Sequence, residues 1–242
     1  MVAATEFLDE GQVAELEQAI AEVEKQTTAE IVCAVATESG RYDRAEAIFG
    51  ILFAMLTLVV VNLAVITQGN SPGQLETVER GGAIHSWTEF EGVEFTWQMA
   101  SLLAGFLVGN LIASYWHPVR RLLTRPGEKE AEVARSAAFV FAQQRLASTR
   151  SEGGLLIYLS LYERRALVLA DQGVMEAAGQ EFVDELRDQA VAGLRSETAA
   201  AAITEVVRAA GQVLSEKMPQ DPAASPDENE LSNRVVLIHP RP

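Results

Sequence analysis

Two apolar runs stand apart from every other hydrophobic pattern in this chain by their length. Ala47 to Thr67 and Phe95 to Trp116 contain no Asp, Glu, Lys or Arg. A helix rises about 1.5 Å per residue and needs roughly 20 apolar residues to cross the ~30 Å hydrocarbon core of a bilayer, so each run predicts a membrane-spanning helix. The first run begins too deep in the chain, and is too long, to be a cleaved signal peptide. Elsewhere the apolar positions recur at shorter intervals. Val13, Leu16, Ile20 and Val23 follow Asp9 and Gln12, which are spaced as a capping box, and predict a helix from about Glu10 to Lys25. EIVCAVAT (Glu30 to Thr37) is nearly all apolar and rich in β-branched residues, as befits a strand buried on both faces.

One helix and one strand cannot bury enough surface to be stable alone, so the partners of that strand are expected beyond the second span. LLIYLSL (Leu155 to Leu161), introduced by Gly153 and Gly154, and ALVLA (Ala166 to Ala170) read as a hairpin around the polar turn Tyr162 to Arg165. Helical spacing marks Glu128 to Ala147 before the hairpin. After it come the sets Phe182, Leu186, Ala190 and Ile203, Val206, Val207, Ala210, Leu214. The expected fold class is therefore α/β, a small sheet covered by helices and interrupted by a two-helix transmembrane hairpin. The expected limits are 1–44 and 118–218 for the two parts of the domain, 45–67 and 95–117 for the spans, 68–94 for an extracytoplasmic loop and 219–242 for a flexible tail. Within that tail, Arg234 to Ile238 reads as an edge strand or a partner-binding segment.

Charge adds orientation. Arg41 and Arg44 precede the first span and Arg120, Arg121 and Arg125 follow the second, whereas the connecting loop carries Arg80 among several Glu. The positive-inside rule then places both termini in the cytoplasm, with membrane lipid as a partner. Trp97, Tyr115 and Trp116 stand where an interfacial aromatic belt would put them. A net charge of −15 without any cluster of Lys and Arg argues against nucleic acid. The single cysteine, Cys33, lies in an apolar run and reads as an inert buried thiol in a reducing compartment.

Candidate chemistry is sparse. The chain has no phosphate-binding glycine loop, no Cys or His pair at metal spacing and no nucleophile elbow. What remains are carboxylates: Glu30 opens the first strand, Glu152 precedes the second and Asp171 closes the third. On a shared sheet they offer oxygens to a hard cation such as Ca²⁺ or Mg²⁺, unless they are merely solvated strand ends. Arg164 and Arg165 in the turn suit either phosphate, anionic headgroups or plain solvent. In the second span, Ser101, Gly105, Gly109 and Ala113 fall at every fourth position. Such a small-residue face lets two backbones approach closely, the partner being either the first span or a second copy.

The segments FLDEGQVAELEQAIAEVEKQTTAEIVCAVA and SEGGLLIYLSLYERRALVLADQGV resemble the TPM domain, named for thylakoid-lumen, photosystem II repair and receptor-modulator proteins. They are most similar to its bacterial membrane subgroup, in which two spans interrupt the domain, and NELSNRVVLI resembles that subgroup's ending. The resemblance implies a bacterial inner-membrane protein that serves as an interaction or assembly factor for a membrane complex, or else a metal-dependent phosphatase-like hydrolase. One departure weakens the second implication. Soluble members carry Gly-Tyr-Gly-Leu-Glu after the third strand, whereas this chain has Asp171, Gln172, Gly173, Val174 and Met175. At the position before the second-strand glycine, where the family has an acidic residue or Asn, this chain has Glu152.

Overall fold

The computed structural model describes residues 3–69, 92–116, 123–149, 152–196, 198–220 and 233–242. In chain order the elements are α1 (Ala4–Phe7), α2 (Glu10–Glu24), β1 (Glu30–Ala36), α3 (Asp43–Gly69), α4 (Gly92–Tyr115), α5 (Pro126–Gln143), a 3₁₀ turn (Leu146–Ser148), β2 (Gly154–Ser160), β3 (Arg165–Ala170), α6 (Gln172–Gly193), α7 (Ala199–Lys217) and β4 (Val236–Ile238). They form two compact units. Met1–Gly40 joins Pro126–Pro242 in one, and Arg41–Arg125 is the other.

The first unit is built on a sheet of order β3-β2-β1-β4. β1 runs parallel to β2 from Glu30↔Gly154 to Ala36↔Ser160, and β2 is antiparallel to β3 through the turn at 161–164. The period-2 alternation of a strand sends successive side chains to opposite faces. Ile31, Cys33 and Val35 therefore join Leu155, Ile157 and Leu159 under α2, α6 and α7, while Val32, Ala34 and Ala36 join Leu156 and Tyr158 under α5. Both faces are covered, which is why these strands read as continuous apolar runs.

Local chemistry sets the ends of the helices. Asp9 Oδ1 accepts from the Gln12 N–H at 2.8 Å and Gln12 Oε1 from the Asp9 N–H at 3.0 Å, the reciprocal capping box expected of that spacing. α6 is broken at Gly179, whose φ of 83° is open to glycine and costly for other residues. α7 packs closely on α2, and a Cβ added at Gly211 would come within 2.3 Å of Val23. The short helix α1 and the strand β4 complete the unit. Within the expected tail, 219–242, the segment Arg234 to Ile238 reads as an edge strand or a partner-binding segment, and the edge strand is what its last three residues form. There Ala34↔Val236 to Ala36↔Ile238 pair in parallel, because Val236 and Leu237 continue the alternation between the two faces.

Parallel strands need a crossover, usually a single helix. Here α5 supplies it, since it packs on the face between β1 and β2, and Arg41–Arg125 is an insertion ahead of it. In that second unit α3 and α4 are long and apolar enough to cross a membrane. Met55, Val59, Leu63, Leu103, Leu107 and Leu111 are each more than half exposed. Neither helix is therefore an ordinary buried core element. The expected outer loop, apart from its two ends, and Arg120 and Arg121 lie outside the described residues.

The insertion predicts a separable domain. Gly40 sits against Glu132, so the two ends are close enough to be joined by a few Gly and Ser residues to Pro126. The joined chain should unfold cooperatively without detergent. The fragment Pro126 to Pro242 alone, lacking β1, should expose the apolar β2 edge and aggregate. Circular dichroism melting and size-exclusion chromatography of both proteins check this, and a monodisperse, cooperatively melting fragment would contradict the split domain.

Candidate functional site

The carboxylates gather at the end of the sheet where β1 and β2 begin and β3 finishes. Glu30 faces Gly154 in the ladder, and the Asp171 N–H donates to the Gly154 carbonyl at 2.8 Å. Glu30 and Asp171 thus flank one glycine. No other residue fits there: a Cβ on Gly154 would stand 2.2 Å from the Leu146 carbonyl oxygen, which the 3₁₀ turn presses onto the strand. Glu152 has a backbone role. With φ 49° it turns the chain into β2, and its carbonyl accepts from the Gly173 N–H at 2.9 Å, fastening the start of α6.

A fourth carboxylate was not anticipated from sequence. Glu24, in the last turn of α2, accepts the Ile31 N–H on Oε1 at 3.0 Å, while its Oε2 is buried without a hydrogen-bond partner. Burial pushes its pKa up to about 8, the Ile31 N–H opposes that, and the charge of Glu30 adds to it. Asp171 shows a related anomaly. It occupies the N-cap of α6 yet makes no side-chain capping bond, and its Oδ2 is likewise buried and unpartnered. A signal for Glu24 did exist in the sequence, since it lies one helical turn after Ile20 at an otherwise apolar position.

Chemically, a carboxyl held near neutrality beside an anionic one takes up a proton or a cation. Glu30, Glu152 and Asp171 do not meet as a ligand set, however. Among the described residues no group of three His, Cys, Asp or Glu is placed to hold a metal ion. Glu24 and Asp171 each keep a buried oxygen without a hydrogen-bond partner, a donor type that suits a hard cation.

The opposite end of the sheet holds a second polar cluster, also missed in sequence because its members are ordinary Ser, Tyr and Glu residues far apart in the chain. Ser39 Oγ donates to Ser160 Oγ at 2.7 Å, and Ser160 donates in turn to Glu163 Oε2. Since the Ser39 proton is thereby committed, the Tyr158 hydroxyl at 3.0 Å is the donor to Ser39. Glu163 Oε1 accepts from the Ser39 N–H at 3.1 Å, and Ser136 Oγ donates to the Ser39 carbonyl at 2.7 Å. Tyr158, Ser160 and Ser39 are buried, and burial drives the Tyr158 hydroxyl up to about 12. This relay locks the residue just before the chain leaves the sheet at Gly40. Cys33 is fully buried with its thiol pushed up to about 12, which agrees with an unreactive side chain.

In the hairpin unit, the small-residue stripe packs on α3 of the same chain. A Cβ on Gly105 would come 2.7 Å from Thr57 Oγ1, and one on Gly109 would come 2.6 Å from Phe53 Cβ and 3.0 Å from Gly50 Cα. Ala113 is buried. Ser101 differs: its hydroxyl donates to the Gln98 carbonyl at 2.8 Å, and it lines a cavity of about 670 Å³ with Val61, Asn62, Trp97 and Ala104. The helices have begun to part at that level. Asn62 is satisfied by its own helix, donating to the Leu58 carbonyl at 2.8 Å.

With the geometry in hand, comparison with known proteins adds the fold alone. The chain is similar to the NMR structure of BA42 protein from the psychrophilic bacterium Bizionia argentinensis sp. nov., with 14% identity, a TM-score of 0.52 and coverage of 98% of this chain and 99% of that one. No family model matches, and neither does any curated protein.

Two outcomes are expected from these sites. Because the folded-state pKa of Glu24 exceeds its unfolded value, the folded protein binds the extra proton between about 4.5 and about 8, and stability falls as pH rises through that window. Glu24→Gln keeps the acceptor for Ile31 and removes the ionisation. It should be roughly 1–3 kcal/mol more stable than the parent at pH 8.5 and indistinguishable near pH 4. Hydrogen exchange of the Ile31 amide across pH reads this directly, and parallel pH slopes would show that Glu24 ionises freely in the folded chain. In the hairpin, Gly105→Leu with Gly109→Leu should push α4 off α3 and abolish crosslinking between cysteines placed at Glu46 and Ser114, whose side chains meet at 2.8 Å. Leu103→Ile with Leu107→Ile, at exposed positions, should leave that crosslinking intact.

Proposed function

We propose that this chain is a membrane-anchored interaction module, in which α3 and α4 cross the bacterial inner membrane as a hairpin and the TPM-like α/β domain works at the cytoplasmic face as an assembly factor for a membrane complex. The observation that carries the reading is the insertion itself. Two helices clothed in exposed Leu, Val, Ile and Met leave the sheet directly after β1 and return directly before α5. In water each such side chain forfeits roughly 1.5–3 kcal/mol relative to burial, whereas lipid is a matching solvent. Arg41, Arg44 and Arg125 bracket the unit and favour termini in the cytoplasm. A domain tethered by both of its cut ends lies close to the bilayer, where it meets other membrane proteins.

A second reading is a metal-dependent phosphatase acting at the same membrane face. It is favoured by the spare oxygens of Glu24 and Asp171 and weakened by the lack of a third ligand among the described residues. Ca²⁺ or Mg²⁺ held there would replace the proton on Glu24 and reverse the loss of stability at high pH. Hydrolysis of a generic phosphomonoester that requires the metal and is lost in Asp171→Asn would favour this reading over the first.

Cysteine labelling tests the anchoring. A thiol placed at Ser71 should react with a membrane-impermeant reagent on intact cells, and one placed at Ser225 only after lysis. The reverse pattern would overturn the orientation, and labelling of both would overturn the span. Affinity purification from detergent-solubilised membranes should bring down a stable membrane-protein partner in the assembly-factor reading.

A further inference from the structure

We draw no further inference here: the strongest candidate, the cavity of about 670 Å³ that Val61, Asn62, Trp97, Ser101 and Ala104 line where α3 and α4 part, is an apolar groove within the hairpin, and nothing in the structure shows what covers it.

Discussion

Everything in this molecule depends on the pairing of β1 with β2 across an insertion. Seven residue pairs from Glu30↔Gly154 to Ala36↔Ser160 join a strand made before the apolar hairpin to one made after it. The cost of closing so long a loop grows only logarithmically with its length, so an insertion of this size is thermodynamically tolerable. What it demands is a strand pair that repays closure. β1 and β2 meet the demand by being buried on both faces, with almost every side chain at or near zero exposure. Small residues help at the junctions. Gly154 admits the Leu146 carbonyl and Gly40 admits Glu132, two places where a Cβ would collide.

The two ends of that sheet treat carboxylates in opposite ways. Glu163 receives donors on both oxygens, from the Ser39 N–H and from the Ser160 hydroxyl. A buried polar group supplied with hydrogen bonds is a stable structural part. Glu24 is buried with one donor and a bare oxygen, and burial first, then the charge of Glu30, lifts its pKa to about 8. The same end of the sheet holds Asp171, an N-cap aspartate that does not cap. The relay at the other end holds the point of departure toward the hairpin.

Within the hairpin the constraint is different, because little of the apolar surface of its two long helices is buried and burial alone does not join them. Close backbone approach takes its place. Gly105 and Gly109 bring α4 onto Ala54, Thr57, Phe53 and Gly50 at distances that any side chain would abolish. The stripe is thereby spent inside the chain.

Much of this was legible in the residues themselves. Hydrophobic period alone placed α2, β1, β2, β3 and the two long helices, because strand alternation and helical spacing are local properties, and the Asp9–Gln12 box named its own helix start. The split of the domain was legible too, since a lone strand must find partners. Tertiary structure alone decided the rest. Whether Glu30, Glu152 and Asp171 converge depends on where strand ends fall in three dimensions. The backbone of Glu152 turned out to matter where its carboxylate was expected to, and Glu24 entered from a helix instead of a strand. The Ser39–Ser160–Glu163 relay joins positions more than a hundred residues apart, with no motif to announce it. For the last strand, four apolar residues at the end of a polar tail are too few to specify a partner. Only the open edge of β1, with Glu17 and Glu38 at its two ends, decided where they lie.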